Sequence, residues 1–161
     1  MIEVKTPSAT DWARLAAYID GEGSISLNAR FNNKSRTRGR ICVGVTSIAN
    51  TDVRLMHWLQ ETFGGNVRRF NNGPKHQKQL YKWEPAYSDM ARILSACLPY
   101  LIIKREQAEI VISFRELIFK KSYRAARISE TEKVQREAMY EKIHVLNRRG
   151  RAPASSIYKV A

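Results

Sequence analysis

Leu15-Ala16-Ala17-Tyr18-Ile19-Asp20-Gly21-Glu22-Gly23 is the stretch from which the rest of the chain can be read. Trp12, Leu15, Ala16 and Ile19 recur at helical spacing, and Ser8 or Thr10 can accept from the first free amides, so a helix is predicted to about Asp20. Gly21 and Gly23 supply the backbone freedom for its exit. Asp20 and Glu22 then stand where the helix dipole is negative, which costs about 0.3–1 kcal/mol for each carboxylate. A nearby cation offsets that cost. A carboxylate beside free helix-end carbonyls is a hard oxygen site of the kind Mg2+ takes. Taken alone, Asp20 to Gly23 is more simply a turn in which Asp20 caps the helix and Glu22 is solvated.

From Ser24 the period changes to two. Ile25, Leu27 and Ala29 alternate with Ser24, Ser26, Asn28 and Arg30. Asn32-Asn33-Lys34-Ser35 is a turn signal, and beyond it Ile41, Val43 and Val45 alternate with Arg40, Cys42, Gly44 and Thr46. The expected hairpin buries the first set of each strand and leaves the second set on a polar, basic face. Asn50 or Thr51 can cap a second helix carrying Val53, Leu55, Met56, Leu59 and Phe63, stopped by Gly64-Gly65. Strands are predicted over 66–71 and 79–86, with Tyr81 and Trp83 on one side and Lys82 and Glu84 on the other. Ser88 can cap a third helix through Leu98, which Pro99 breaks; a fourth runs from about Lys104 to Lys121. The capping box Ser129-Glu130-Thr131-Glu132 starts a fifth that ends near Leu146.

The order is αββαββα with further C-terminal helices. It describes an α+β fold in which an antiparallel four-stranded sheet carries helices on one face and leaves the other open. One domain is expected over 1–147, with a basic, flexible tail over 148–161.

The 161 residues carry a net charge of +13, and the excess is segregated. Residues 28–40 hold Arg30, Lys34, Arg36, Arg38 and Arg40 without an acid; residues 68–82 hold Arg68, Arg69, Lys75, Lys78 and Lys82, again without one. The tail adds Arg148, Arg149, Arg151 and Lys159, and the remaining chain is balanced to within one charge. Segregation of this kind is the footprint of a polyanion partner. A membrane surface would ask for a basic amphipathic helix, whereas these segments read as strands and turns, so nucleic acid is the better fit. A curved two-stranded ribbon can enter a major groove.

Other classes fall away. No apolar run approaches the roughly 18 residues of a membrane span, and the N-terminus has no apolar core of a secretion signal. Cys42 and Cys97 form no metal or disulfide pattern, so a reducing compartment, cytoplasmic or organellar, is expected. His57, His76 and His144 form no cluster, and no phosphate-binding glycine loop points to a nucleotide cofactor.

The nine residues Leu15 to Gly23 resemble the signature of the LAGLIDADG homing endonucleases, with Ala17 in the usual glycine position and Glu22 in the last acidic one. Gly23-Ser24-Ile25 continues the likeness, and Leu98-Pro99-Tyr100-Leu101-Ile102-Ile103-Lys104-Arg105-Glu106-Gln107-Ala108 resembles a second block of the family. The resemblance covers most of residues 10–147. It implies a homodimer, because one signature supplies half a site. The first helices of two copies would pack through Trp12, Leu15, Ala16 and Ile19, with Ala16 and Ala17 permitting close approach. It assigns the catalytic metal to Glu22 with the Gly21 carbonyl, charge stabilisation to Lys104, a secondary bracing role to Asp20, and the holding of water to Ser47 or Asn50.

The implied chemistry is hydrolysis of both strands of double-stranded DNA at a long near-palindromic target. Mg2+ or Mn2+ would be the working ion and Ca2+ a non-catalytic substitute. Ser26, Asn28, Arg30, Arg38, Arg40, Gly44 and Thr46 would face the groove from the first hairpin, and Arg68, Phe70 and Lys82 from the second. Lys34, Arg36, Lys75, Arg148 and Arg149 are expected on the DNA as well, Lys34, Lys75 and the tail arginines at phosphates. Two other readings stay open: a non-cleaving descendant acting as an RNA maturase or transcription regulator, and a generic basic binding module. An intron-encoded, intein-borne or free-standing gene is equally open.

Overall fold

A computed structural model describes residues 6–31, 40–70, 78–119 and 129–148. Helix α1 (Ala9–Glu22) opens on a capping box: Ser8 Oγ accepts from the Asp11 amide at 3.2 Å and Asp11 Oδ2 accepts from the Ser8 amide at 3.0 Å. Strands β1 (Gly23–Phe31) and β2 (Arg40–Asn50) follow, then α2 (Val53–Phe63), β3 (Asn66–Phe70) and β4 (Leu80–Glu84). Next come α3 (Met90–Cys97), a short 3-10 turn at Leu98–Tyr100, α4 (Arg105–Phe119) and α5 (Glu130–Asn147). The strands form one antiparallel sheet in the order β1-β2-β4-β3. The expected α+β architecture is therefore the one present. Cap positions differ in detail. Asp52, not Asn50 or Thr51, caps α2 by accepting from the Arg54 amide at 2.9 Å, and α3 begins behind Asp89 rather than Ser88.

The helices cover one face of the sheet. Leu15 and Ile19 of α1, Leu59 and Phe63 of α2, Ile93 and Leu94 of α3 and Val111 and Phe114 of α4 bury against Ile25, Leu27, Ile48 and Trp83. Trp83 is wholly buried and donates its indole N–H to the Gly64 carbonyl at 2.8 Å, so its polar edge is satisfied inside the core. At the sheet's free edge α5 closes part of β1: Asn147 Nδ2 donates to the Ile25 carbonyl at 3.0 Å and His144 Nε2 to the Leu27 carbonyl at 3.2 Å. Such cover hides an edge that could otherwise pair with another chain. Cys97 is buried, and burial pushes its thiol up to about 12, far from a reactive thiolate. Among the described residues no helix is long and apolar enough to cross a membrane.

The register corrects the reading of β2. Residues paired directly across a ladder project from the same face, and Ile25 pairs with Thr46 and Leu27 with Gly44. Gly44 and Thr46 therefore face the core, not a groove-binding surface, and Val43 and Val45 share the open face with Asn28 and Ser26. The cause is α4. A Cβ on Gly44 would stand 3.0 Å from Val111 Cγ1 and 3.4 Å from Met90 Sδ, so the inward face of β2 must be thin where the helices come down on it. Gly44→Leu is accordingly expected to lower the unfolding free energy by about 1–3 kcal/mol, seen in equilibrium unfolding as a lower urea midpoint at unchanged slope. Unchanged stability would return Gly44 to the open face.

Helix α1 brings a second correction. Leu15, Ala16 and Ile19 are 0% exposed beneath the chain's own sheet and helices, and the Trp12 ring lies 5.0 Å from that of Phe63. These four are intramolecular packing and cannot form the face that meets a second copy. The outward stripe of α1 is Ala13, Ala17 and Gly21, of which Ala17 and Gly21 are exposed.

Candidate active site

The last turn of α1 holds Asp20, Gly21 and Glu22, and the chain then turns directly into β1. Gly23 makes that turn possible: a Cβ there would lie 2.7 Å from the Ile19 backbone. Glu22 is exposed beside the end of β2, where Asn50 Nδ2 donates to its Oε2. Asn50 is itself held, its Oδ1 accepting from the Asp52 amide at 2.8 Å. The Arg54 guanidinium, hydrogen-bonded to Asp52 at 2.6 Å, keeps the Asp52 carboxyl down at about 2. Of the two polar candidates near the end of β2, Asn50 thus meets Glu22, while Ser47 Oγ lies 3.2 Å from Ser24 Oγ. A groove of about 530 Å³ opens here, lined by Arg14, Tyr18, Glu22, Asn50, Asp52, Arg54, Leu55 and Trp58. Arg14 and Trp58 carry no local motif, and only the meeting of α1 with α2 identifies them and gives Tyr18 and Leu55 a place at the site.

Asp20 and Lys104 form a second unit. Both Asp20 carboxylate oxygens accept backbone amides, Ile102 at 2.7 Å and Lys104 at 2.9 Å. Asp20 therefore splices the segment before α4 onto the end of α1, and its oxygens are committed to that bracing. Lys104 Nζ donates to the Ile19 carbonyl at 2.8 Å and to the Asp20 carbonyl at 2.6 Å. This ammonium is the cation that offsets two acids at a helix C-terminus. Burial holds its pKa below the usual lysine range, against the opposing pull of Asp20.

The Gly23 amide takes the Tyr18 and Ile19 carbonyls and Lys104 takes those of Ile19 and Asp20, which leaves the Gly21 carbonyl out of both sets. Glu22 and Gly21 present oxygen only, the donor set that suits Mg2+. Among the described residues no three His, Cys, Asp or Glu side chains converge.

The open face of the sheet begins at this end. Ser26 and Asn28 lie on it in β1, paired with Val45 and Val43. Register puts Arg68 opposite Lys82, Phe70 opposite Leu80 and Asn66 opposite Glu84, all on the same open face because Val67 and Trp83 point the other way. Arg148 is exposed at the end of α5. Lys34, Arg36, Arg38, Lys75 and Arg149 lie outside the described residues, as do the side chains of Arg30 and Arg40.

No protein-family model and no curated protein matches the chain. Solved structures do. The homing endonuclease I-CvuI, in complex with the I-CreI target in Mg, aligns with a TM-score of 0.66 at 19% identity, over 94% of this chain and 86% of that one. The group I intron-encoded homing endonuclease I-CeuI, complexed with DNA, aligns with a TM-score of 0.64 at 13% identity, over 88% and 69%. The LAGLIDADG homing endonuclease I-GzeII, with its DNA target, aligns with a TM-score of 0.62 at 15% identity, over 80% of this chain but 43% of that one. With its four-stranded antiparallel sheet and helices, the chain has the fold of the LAGLIDADG homing endonucleases.

Proposed function

We propose that this chain is one half of a site-specific DNA endonuclease, in which two copies bring their Glu22 carboxylates together over a duplex. The observation that carries the reading is Glu22 itself: an exposed carboxylate at the end of α1, aimed by Asn50, beside a helix-end carbonyl and next to an open, cation-bearing sheet face. Glu22 and the Gly21 carbonyl of each copy would hold Mg2+ or Mn2+. When bound, the metal supplies an activated water and neutralises charge at the phosphate. Asn50 fixes the rotamer of Glu22, Lys104 and Asp20 hold the helix end, and the sheets follow the two halves of a near-palindromic target.

Two features support a homodimer. The chain matches most of I-CvuI but less than half of I-GzeII, as one half of a two-part site would. The flanks of α1 are also complementary. Beside Asp20 stand Ile102 and Ile103, 87% and 69% exposed, and on the opposite flank lies the groove of Tyr18, Leu55 and Trp58. A two-fold axis running along α1 sets the isoleucines of each copy against the groove of the other and puts both Glu22 residues at one end. An axis across α1 would set isoleucines against isoleucines and separate the acids by about 20 Å, the length of the helix.

The test is to incubate the protein with Mg2+ and duplexes carrying randomised near-palindromic sites. Double-strand cuts within one sequence class are expected, and they stop on adding a chelator. Tight, selective binding with no cut in Mg2+ or Mn2+ would favour the non-cleaving descendant.

A further inference from the structure

The open face of β3 and β4 carries an acid where a surface meant for phosphates should avoid one. Arg68 and Lys82 stand directly opposite each other, a like-charge pair that destabilises a ladder. Glu84 resolves it. Its carboxylate lies 3.1 Å from Arg68 Nη2 and 2.9 Å from Lys82 Nζ, and the same ammonium stands 5.6 Å over the Phe70 ring. Lys82 is the most covered of the three, its side chain 20% exposed against 29% for Glu84 and 58% for Arg68. The arrangement holds Lys82 down and leaves the guanidinium as the group that projects.

We propose that Glu84 is a positioning residue for base readout: it fixes the Arg68 guanidinium to read a guanine in each half-site, with Lys82 holding Glu84 in place. This rests on the reading of the sheet as a DNA-binding surface. A free arginine on a basic face binds any phosphate within reach, which gives affinity without selectivity. Tethering one edge to a carboxylate removes that freedom and aims the remaining N–H groups, and guanine offers the two acceptors a planar fork requires. The carboxylate also repels the backbone, so Glu84 trades general affinity for discrimination.

The experiment compares base preference, position by position, for the wild-type protein, Glu84→Gln and Arg68→Ala. It uses a duplex library in Ca2+, with the salt dependence of binding to an unrelated duplex measured alongside. Glu84→Gln keeps the shape and removes the charge. Its preference for guanine at one position per half-site should fall about tenfold, while affinity for unrelated DNA rises. Arg68→Ala should flatten the same position. A Glu84→Gln profile superimposable on a sharp wild-type profile, with affinity raised equally for every sequence, would reduce Glu84 to a surface ion pair and overturn the proposal alone. A flat wild-type profile would overturn the DNA-endonuclease reading, and this proposal with it.

Discussion

Glu22→Gln is expected to cut DNA roughly 10³-fold more slowly than the wild-type protein, the equivalent of about 4 kcal/mol of transition-state stabilisation. Its affinity for the same target in Ca2+ should stay within a few fold. Glutamine keeps the length of the arm and an oxygen that can accept from Asn50 Nδ2, so the end of α1 should retain its geometry. What disappears is the negative charge that the proposed cation would need. In the two-fold arrangement the loss occurs twice, once in each half of the site. Single-turnover cleavage beside a binding titration separates the two effects. Equal cutting by the variant would take Glu22 out of the chemistry, whereas loss of binding and cutting together would make it a structural residue of the interface.

How far the fold could be read from residue order depended on what set each pattern. Strand β1 alternates serine and asparagine with isoleucine and leucine, and over residues 24–28 its faces came out as read, because Ile25 and Leu27 meet the core helices while Ser24, Ser26 and Asn28 lie on the other face. In β2 the more apolar set, Val43 and Val45, lies on the open face. The decisive residue is Ile48, which pairs with Trp83 and fixes the even positions inward. Hydrophobic periodicity cannot see that α4 approaches Gly44 closely enough to supply the missing bulk itself. The same limit applies to α1. Trp12, Leu15, Ala16 and Ile19 are its greasiest stripe and so belong to the core, whereas Ala13, Ala17 and Gly21 attract no notice by hydrophobicity.

The site was legible where electrostatics demanded a partner. Two acids at a helix C-terminus call for a cation, and Lys104 supplies one from 84 residues away in the chain. Which element would bring that cation, and that Asp20 would spend both carboxylate oxygens on the backbone before α4, depends on tertiary placement rather than local order. Glu84 illustrates the reverse case. Its side of β4 could be read from parity with Lys82, but its tie to Arg68 required the register of β3.

The double substitution Ile102→Asp and Ile103→Asp should leave each chain folded and leave it unable to cut. Both side chains are mostly in solvent in the single chain, so the thermal midpoint is expected to move little. Burying an isoleucine contributes about 1.5–3 kcal/mol, and a two-fold pair buries four of them, so the association constant should fall by several orders of magnitude. Aspartates placed there would also face Glu22 and Asp52 of the opposing groove, adding like-charge repulsion to the lost contact. Sedimentation of the free protein should find monomers where the wild-type protein is expected to give dimers. Cutting should fall to background although Glu22, Asn50 and Lys104 are untouched, and half-length duplexes should still bind. That combination would tie catalysis to the meeting of two α1 ends rather than to a complete site within one chain. A variant that stays dimeric and active would place the contact on another surface and leave the exposed isoleucines without this role.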